Sequence, residues 1–182
     1  MDMEKKLKDV VIKVVKGDIT DLEVEAFVYY ARPDLKLGTG FGGAIAVRGG
    51  VSIQKELDQS GPVPVTEAVA TGAGNLKAKH IIHAVGPKFQ EPDEERKLRQ
   101  ATLEALRRAE EAGITQVALP PMGTGLYGVP LDVCSRVMVE AVKEHLSWAP
   151  KVKEVVFVAV DAREYQPFAA RLEALGPVEG RP

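Results

Sequence analysis

A single cysteine, Cys134, excludes an internal disulfide and a cysteine-cluster zinc site. It lies among Leu131, Val137 and Met138 at helical spacing, with no sequence neighbour to lower its pKa, so it reads as a small core residue. The three histidines, His80, His83 and His145, form no recognisable ligand pair. No structural metal and no cofactor are therefore expected. No run of about 18 apolar residues is present, and the charged lead Met1-Asp2-Met3-Glu4-Lys5-Lys6 enters no apolar signal core. A cytoplasmic protein with no membrane partner is the expectation. Neither sign of charge dominates: 24 Lys and Arg face 26 Asp and Glu, for a net charge of -2. That balance disfavours binding to nucleic acid through a broad basic field. Asparagine is nearly absent, Asn75 being the one example in a chain rich in charge, a composition seen in heat-adapted proteins.

What is present is enough for one domain. A chain of 182 residues can bury a sizeable core, and no repeat, linker or composition shift divides it. The expected domain is 1–182, with 1–9 and 176–182 as flexible ends. Apolar runs of strand character occur at Val10–Lys16, Ala26–Tyr30, Glu67–Gly72, His80–Val85, Val117–Pro120 and Val152–Val160. Between them come helical patterns: from Gly43 through Ile45, Ile53 and Leu57 to Gly61, from Pro92 to Ala112, after Pro130, and from Asp161 to Leu175. About six strands alternating with four or five helices predict an α/β fold with a largely parallel sheet covered on both faces.

Two glycine-rich loops stand out, Gly38-Thr39-Gly40-Phe41-Gly42-Gly43-Ala44-Ile45 and Gly123-Thr124-Gly125-Leu126-Tyr127-Gly128. Each follows an apolar run and leads into helical periodicity. Glycine lets a ligand approach the backbone closely, and a helix start presents unpaired N–H donors at the positive end of its dipole. Two such loops could grip a diphosphate from both sides. They could also merely punctuate βα connections. Neither fits a P-loop, since no Gly-Lys-Ser/Thr follows, and the first lacks G-x-G-x-x-G spacing. In a parallel sheet both loops, and the acidic turn Gly17-Asp18-Ile19-Thr20, emerge at the carboxyl rim. The residues alone support a diphosphate compound.

The chain resembles the macro domains from Val10 to about Leu175. The resemblance rests on Gly17-Asp18-Ile19-Thr20, the loop ending Gly43-Ala44-Ile45, the segment Ile82-His83-Ala84-Val85-Gly86-Pro87, and Leu119-Pro120-Pro121-Met122-Gly123-Thr124-Gly125-Leu126-Tyr127-Gly128-Val129-Pro130, in the family's order. It implies a three-layer α/β/α sandwich with a mixed, mostly parallel sheet, and recognition of ADP-ribose or an ADP-ribosylated substrate. By resemblance, Asp18 holds the adenine amino group, assisted by the N–H of Ile19. Amides of Gly40, Phe41, Gly42, Gly43, Ala44 and Ile45 and of Gly123, Thr124, Gly125, Leu126 and Tyr127 hold the diphosphate, with Tyr127 against the distal ribose. Asp161 and Tyr165 are looser candidates. Tyr165 either stacks on adenine or packs on the sheet.

The departures are concentrated in one place. Many macro domains carry N-A-A-N where this chain has Tyr29-Tyr30-Ala31-Arg32, and the hydrolytic branch has an acid and a histidine where Gly42 and Ala46 stand. None of the replacements is a general base. Arg32 could add a charge-assisted contact to phosphate. Tyr29 or Tyr30 could fill part of the distal-ribose space, or the two could simply alternate into opposite layers. Three functions follow: a module that binds ADP-ribose, a hydrolase of protein-linked mono-ADP-ribose or of O-acetyl-ADP-ribose using a phosphate-held water, and, least favoured, a remodelled RNA or nucleotide binder. No catalytic residue is assigned.

Overall fold

The structure, a computed structural model, describes residues 2–148 and 151–176. Seven strands and five helices follow one another as β1 (Met3–Leu7), β2 (Val10–Lys16), β3 (Ala26–Ala31), α1 (Gly40–Gly49), α2 (Ser52–Ser60), β4 (Ala68–Gly72), β5 (His80–Val85), α3 (Glu94–Glu111), β6 (Gln116–Leu119), α4 (Leu131–Leu146), β7 (Glu154–Ala159) and α5 (Ala162–Glu173). They form one sheet in the order β1-β2-β7-β6-β3-β5-β4. The five inner strands run parallel, and each edge is an antiparallel strand, β1 on β2 and β4 on β5. Both predictions of the fold, α/β and mostly parallel, describe this sheet.

Period-two alternation divides the strands between two cores. On β3, Ala26, Val28 and Tyr30 face the layer of α3, α4 and α5, while Phe27, Tyr29 and Ala31 face the layer of α1 and α2. β7 splits the same way, with Val155 and Phe157 on the first side and Val156 and Val158 on the second. Because both faces are covered, these strands read as continuous apolar runs. No helix among the described residues is long and apolar enough to cross a membrane.

Two expectations change. Of the two readings of the lead 1–9, fraying or covering an edge, the second holds for Met3–Leu7, which is the seventh strand and covers the β2 edge, paired from Met3↔Val14 to Leu7↔Val10. Its inward alternation is hidden by Lys5, which reaches the carbonyl of Glu173 at 3.2 Å, and also that of Leu175, at the end of α5. The other expected flexible end, beyond Gly176, lies outside the described residues. The helix expected from Gly43 to Gly61 starts earlier and is two helices, because Gly50 at φ 90° turns the chain between α1 and α2.

Candidate functional site

The carboxyl ends of the parallel strands form one rim, and a cavity of about 390 Å³ lies there. Its walls come from the turn after β2 (Gly17, Ile19), the tips of β3 (Tyr29, Tyr30), the start of α1 (Thr39 to Gly42), the segment after β6 (Pro120 to Tyr127) and the end of β7 with α5 (Val158, Val160, Glu164). From β2 to β3 there are three strand spacings, about 14 Å. The cavity is long enough for a base at one end and a sugar at the other.

The first glycine loop is itself helical. α1 begins at Gly40 after the N-cap Thr39, so Gly40, Gly42 and Gly43 occupy its first turns and Gly40, Phe41 and Gly42 line the cavity. The opening amides of a helix have no acceptor within it. Ala44 and Ile45 continue the helix, and Ile45 is fully buried in the core under α1. Neither Gly43 nor these two residues lines the cavity with the rest. In the second loop, Gly125–Tyr127 makes a single 3-10 turn. It is held by the N–H of Val129 on Gly123 O at 2.9 Å and by that of Gly128 on Gly125 O at 3.0 Å. Gly123, Thr124, Gly125 and Tyr127 line the wall facing α1. Leu126 takes part through the backbone of the turn. Cys134 packs beneath this loop, its thiol donating to Met122 O at 3.2 Å, and burial pushes that thiol well up.

Asp18 stands at the rim and is already engaged. Its Oδ1 accepts from the backbone N–H of Thr20 at 2.9 Å and from the Thr20 hydroxyl at 2.6 Å, and its Oδ2 accepts from Arg48 at 3.0 Å. The Thr20 hydroxyl first, then the Thr20 amide and Arg48, hold this carboxyl below the ordinary range. Ile19, next to it, is part of the cavity wall.

The two tyrosines alternate as one of the readings expects, and neither is lost to the cavity by it. They alternate into opposite cores, and both line the cavity. Tyr29 is half of a tight fit: a Cβ on Gly42 would lie 2.4 Å from its hydroxyl and 1.8 Å from the carbonyl oxygen of Leu37. The Tyr30 ring lies over Gly86 and Gly123, where an added Cβ would be 2.4 and 3.3 Å from its ring carbons, and its hydroxyl donates to Pro87 O. Burial pushes the Tyr29 hydroxyl up to about 12, and that of Tyr30 further still. Both stay protonated donors at neutral pH.

Three candidates fall elsewhere. Arg32 is ion-paired with Asp34 at 2.7 Å and lines, with Lys88, Phe89 and Tyr127, a second and more open cavity of about 660 Å³ on the far side of Tyr127. Asp161 is the N-cap of α5, its side chain accepting from the Glu164 N–H at 3.0 Å. Tyr165 packs against the core of the α3–α5 layer with the Lys16 ammonium 5.5 Å from its ring centroid. Helical spacing explains the difference: Asp161 is committed to its cap, and a residue one position beyond Glu164 points to the sheet.

Glu164 and Val160 were missed. Asp161-Ala162-Arg163-Glu164 has the D-x-x-E form of a capping box, which accounts for the carboxylate and hides its position on the cavity wall. Among the described residues no group of three or more His, Cys, Asp or Glu is placed to hold a metal ion.

A sequence profile described as Macro domain matches residues 31–138. A protein of Sulfurisphaera tokodaii is 46% identical over 138 residues, covering 74% of this chain and 75% of its own. A macro domain-containing protein of Caldanaerobacter subterraneus is 40% identical over 170 residues, covering 90% and 97%. Among solved structures, a variant of the Oceanobacillus iheyensis macrodomain in complex with ADP-ribose superposes with a TM-score of 0.90 at 26% identity, over 96% of this chain and 98% of that one. The same macrodomain with ADP gives 0.90 and 26%, over 96% of each. On the profile, the relatives and the fold together, this chain belongs to the macro domain family.

Proposed function

We propose that the rim cavity binds ADP-ribose, free or attached to a protein. The observation that carries this reading is the pairing of two glycine-built backbone walls, the first turn of α1 and the 3-10 turn at Gly125, on one elongated cavity. Backbone amides there suit a diphosphate, whose charge gains from helix starts and needs close approach. The adenine belongs at the β2–β7 end, beside Asp18 and Ile19. The distal ribose belongs at the β3–β6 end, beside Tyr127, Tyr29 and Tyr30. The family's solved relative crystallised with ADP-ribose supports the same ligand.

Binding is favoured over hydrolysis by the chemistry at the distal end. Tyr29, Tyr30 and Tyr127 supply hydroxyls that burial keeps protonated, and among the described residues no carboxylate or imidazole joins them at that end of the cavity wall. The one carboxylate on that wall, Glu164, is at the opposite end. Turnover would have to rely on a water held by the substrate's own phosphate.

Calorimetric titration with ADP-ribose, with AMP and ADP as controls, tests the reading on wild type and Asp18→Ala. Preference for ADP-ribose, weakened in the variant, is the expected result. A folded protein with no heat of binding at high micromolar ADP-ribose would refute it.

A further inference from the structure

The base end of the cavity holds a carboxylate that the resemblance does not assign. Glu164 is the third residue of α5, with its side chain only 12% exposed. Two hydrogen bonds to different residues fix it. Its N–H donates to Asp161 at 3.0 Å, and its Oε1 accepts from the Val160 N–H at 2.9 Å. With Oε1 taken, Oε2 is the remaining acceptor. Its nearest cation, Arg163, is 3.9 Å away, outside hydrogen-bond range. Around it, Ile19, Val158 and Val160 make apolar walls suited to the faces of a flat ring. Val160 is 67% exposed and so is open to a ring lying against it.

Asp18 meets the base from an exposed position. Its side chain is 60% exposed and is bonded on both oxygens to Thr20 and Arg48. We propose that Glu164 determines which base this site accepts, its Oε2 taking a hydrogen bond from the exocyclic amino group of adenine. An amino group carries two donors, so Asp18 and Glu164 can share it. A keto base in the same place turns an acceptor toward a fixed, largely buried carboxylate, leaving both without partners. The site therefore selects amino purines and rejects hypoxanthine. This rests on the ADP-ribose reading and extends it from the diphosphate to the base.

The experiment compares ADP-ribose with its hypoxanthine counterpart, inosine diphosphate ribose, on wild type, Glu164→Gln and Asp18→Asn. In Glu164→Gln the Val160 N–H still needs an acceptor, so the amide oxygen takes the place of Oε1 and the NH₂ faces the cavity. That reverses the polarity met by the base and leaves the cap intact. Wild type is expected to prefer ADP-ribose by about tenfold or more. Glu164→Gln is expected to bring the ratio below about threefold or invert it, while Asp18→Asn weakens both ligands and keeps a clear preference for adenine. A ratio taken on one preparation is independent of its folded fraction, so lost stability cannot imitate the result. Equal binding of the two ligands by wild type, or an unchanged ratio in Glu164→Gln, overturns the proposal and leaves ADP-ribose binding standing. Absence of binding to either ligand overturns both.

Discussion

Replacing Gly42 by alanine separates a packing requirement from a helix preference by the sign of its effect. Gly42 lies in the first turn of α1. An unobstructed Gly→Ala change inside a helix stabilises by about 0.5–1 kcal/mol. Here the new Cβ would stand 1.8 Å from the Leu37 carbonyl oxygen and 2.4 Å from the Tyr29 hydroxyl. The first obstacle is backbone and cannot rotate away, so the cost belongs at the top of the overpacking range, about 3 kcal/mol. The balance is a loss of about 2 kcal/mol. For a chain of this length that lowers Tm by roughly 4–8 °C, where the helix effect alone would raise it. Thermal melts followed by circular dichroism measure this, with Gly17→Ala as the control. Gly17 has open space around its Cβ position and belongs within about 0.5 kcal/mol of wild type. On a Tyr29→Phe background the penalty should persist, because the Leu37 carbonyl remains. A Gly42→Ala protein that melts at or above wild type refutes the fit. Full recovery on the Tyr29→Phe background moves the obstacle from Leu37 to the tyrosine hydroxyl.

His83 is fully buried edge-on to Tyr29, its Nε2 2.9 Å from the Thr71 hydroxyl, and burial holds its pKa down at about 3. The unfolded chain binds a proton near pH 6.5 that the fold refuses, so stability falls as pH drops from 6.5 toward 3, by up to about 1.4 kcal/mol per pH unit. Denaturant titrations across that window should show a shallower slope in His83→Gln, and an identical slope would refute the assignment. Arg32, whose guanidinium would be 3.5 Å from a Cβ on Gly38, lies close to the first loop from the neighbouring cavity. Arg32→Gln is expected to weaken ADP-ribose binding about three- to tenfold at low salt and less at high salt, as titrations at two ionic strengths would show. A loss independent of salt would count against a charge effect. Cys134 should be inert to a chromogenic disulfide reagent in the native state and react once in denaturant, because burial disfavours its thiolate. Rapid native labelling would contradict its place under the second loop.

The parts of the fold legible in sequence are those whose signal is local. β3, β5 and β7 announce themselves as apolar runs because both faces are buried, β2 because one face is buried and valines line most of the other, and the split of α1 from α2 was missed because apolar periodicity carries through Ile45, Ile53 and Leu57 while the turn depends on the φ of Gly50 alone. β1 was illegible because its evidence is a partner: Met3, Lys5 and Leu7 alternate only in relation to β2 and to the end of α5. The same division runs through the site. Glycine loops and Asp18 were visible as short patterns after strands. Glu164 looked like a cap, which it is, and only the proximity of α5 to the ends of β2 and β7 gives it a second face.

The tyrosine segment shows why such dependencies escape a linear reading. Thirteen positions separate Tyr29 from Gly42, and nothing in either neighbourhood ties them together. In the fold, the hydroxyl of Tyr29 and the carbonyl of Leu37 fill the space into which any side chain at 42 would project. An acidic residue at 42 therefore cannot be introduced beside this tyrosine, and the absence of one is a consequence of the tyrosine and of the loop path, not an independent loss. Tyr30 imposes the same condition on Gly86 and Gly123, which keeps the second loop close to β3. The departures at 29, 30 and 42 then belong together: tyrosines stand where the family pattern has an asparagine and an alanine, Tyr29 and the loop path leave no room for a side chain at 42, and the two glycine-built walls remain. On the reading proposed above, such a site keeps the walls that would hold ADP-ribose and has no carboxylate at 42 to act on water, which is the physical ground for proposing a binding module.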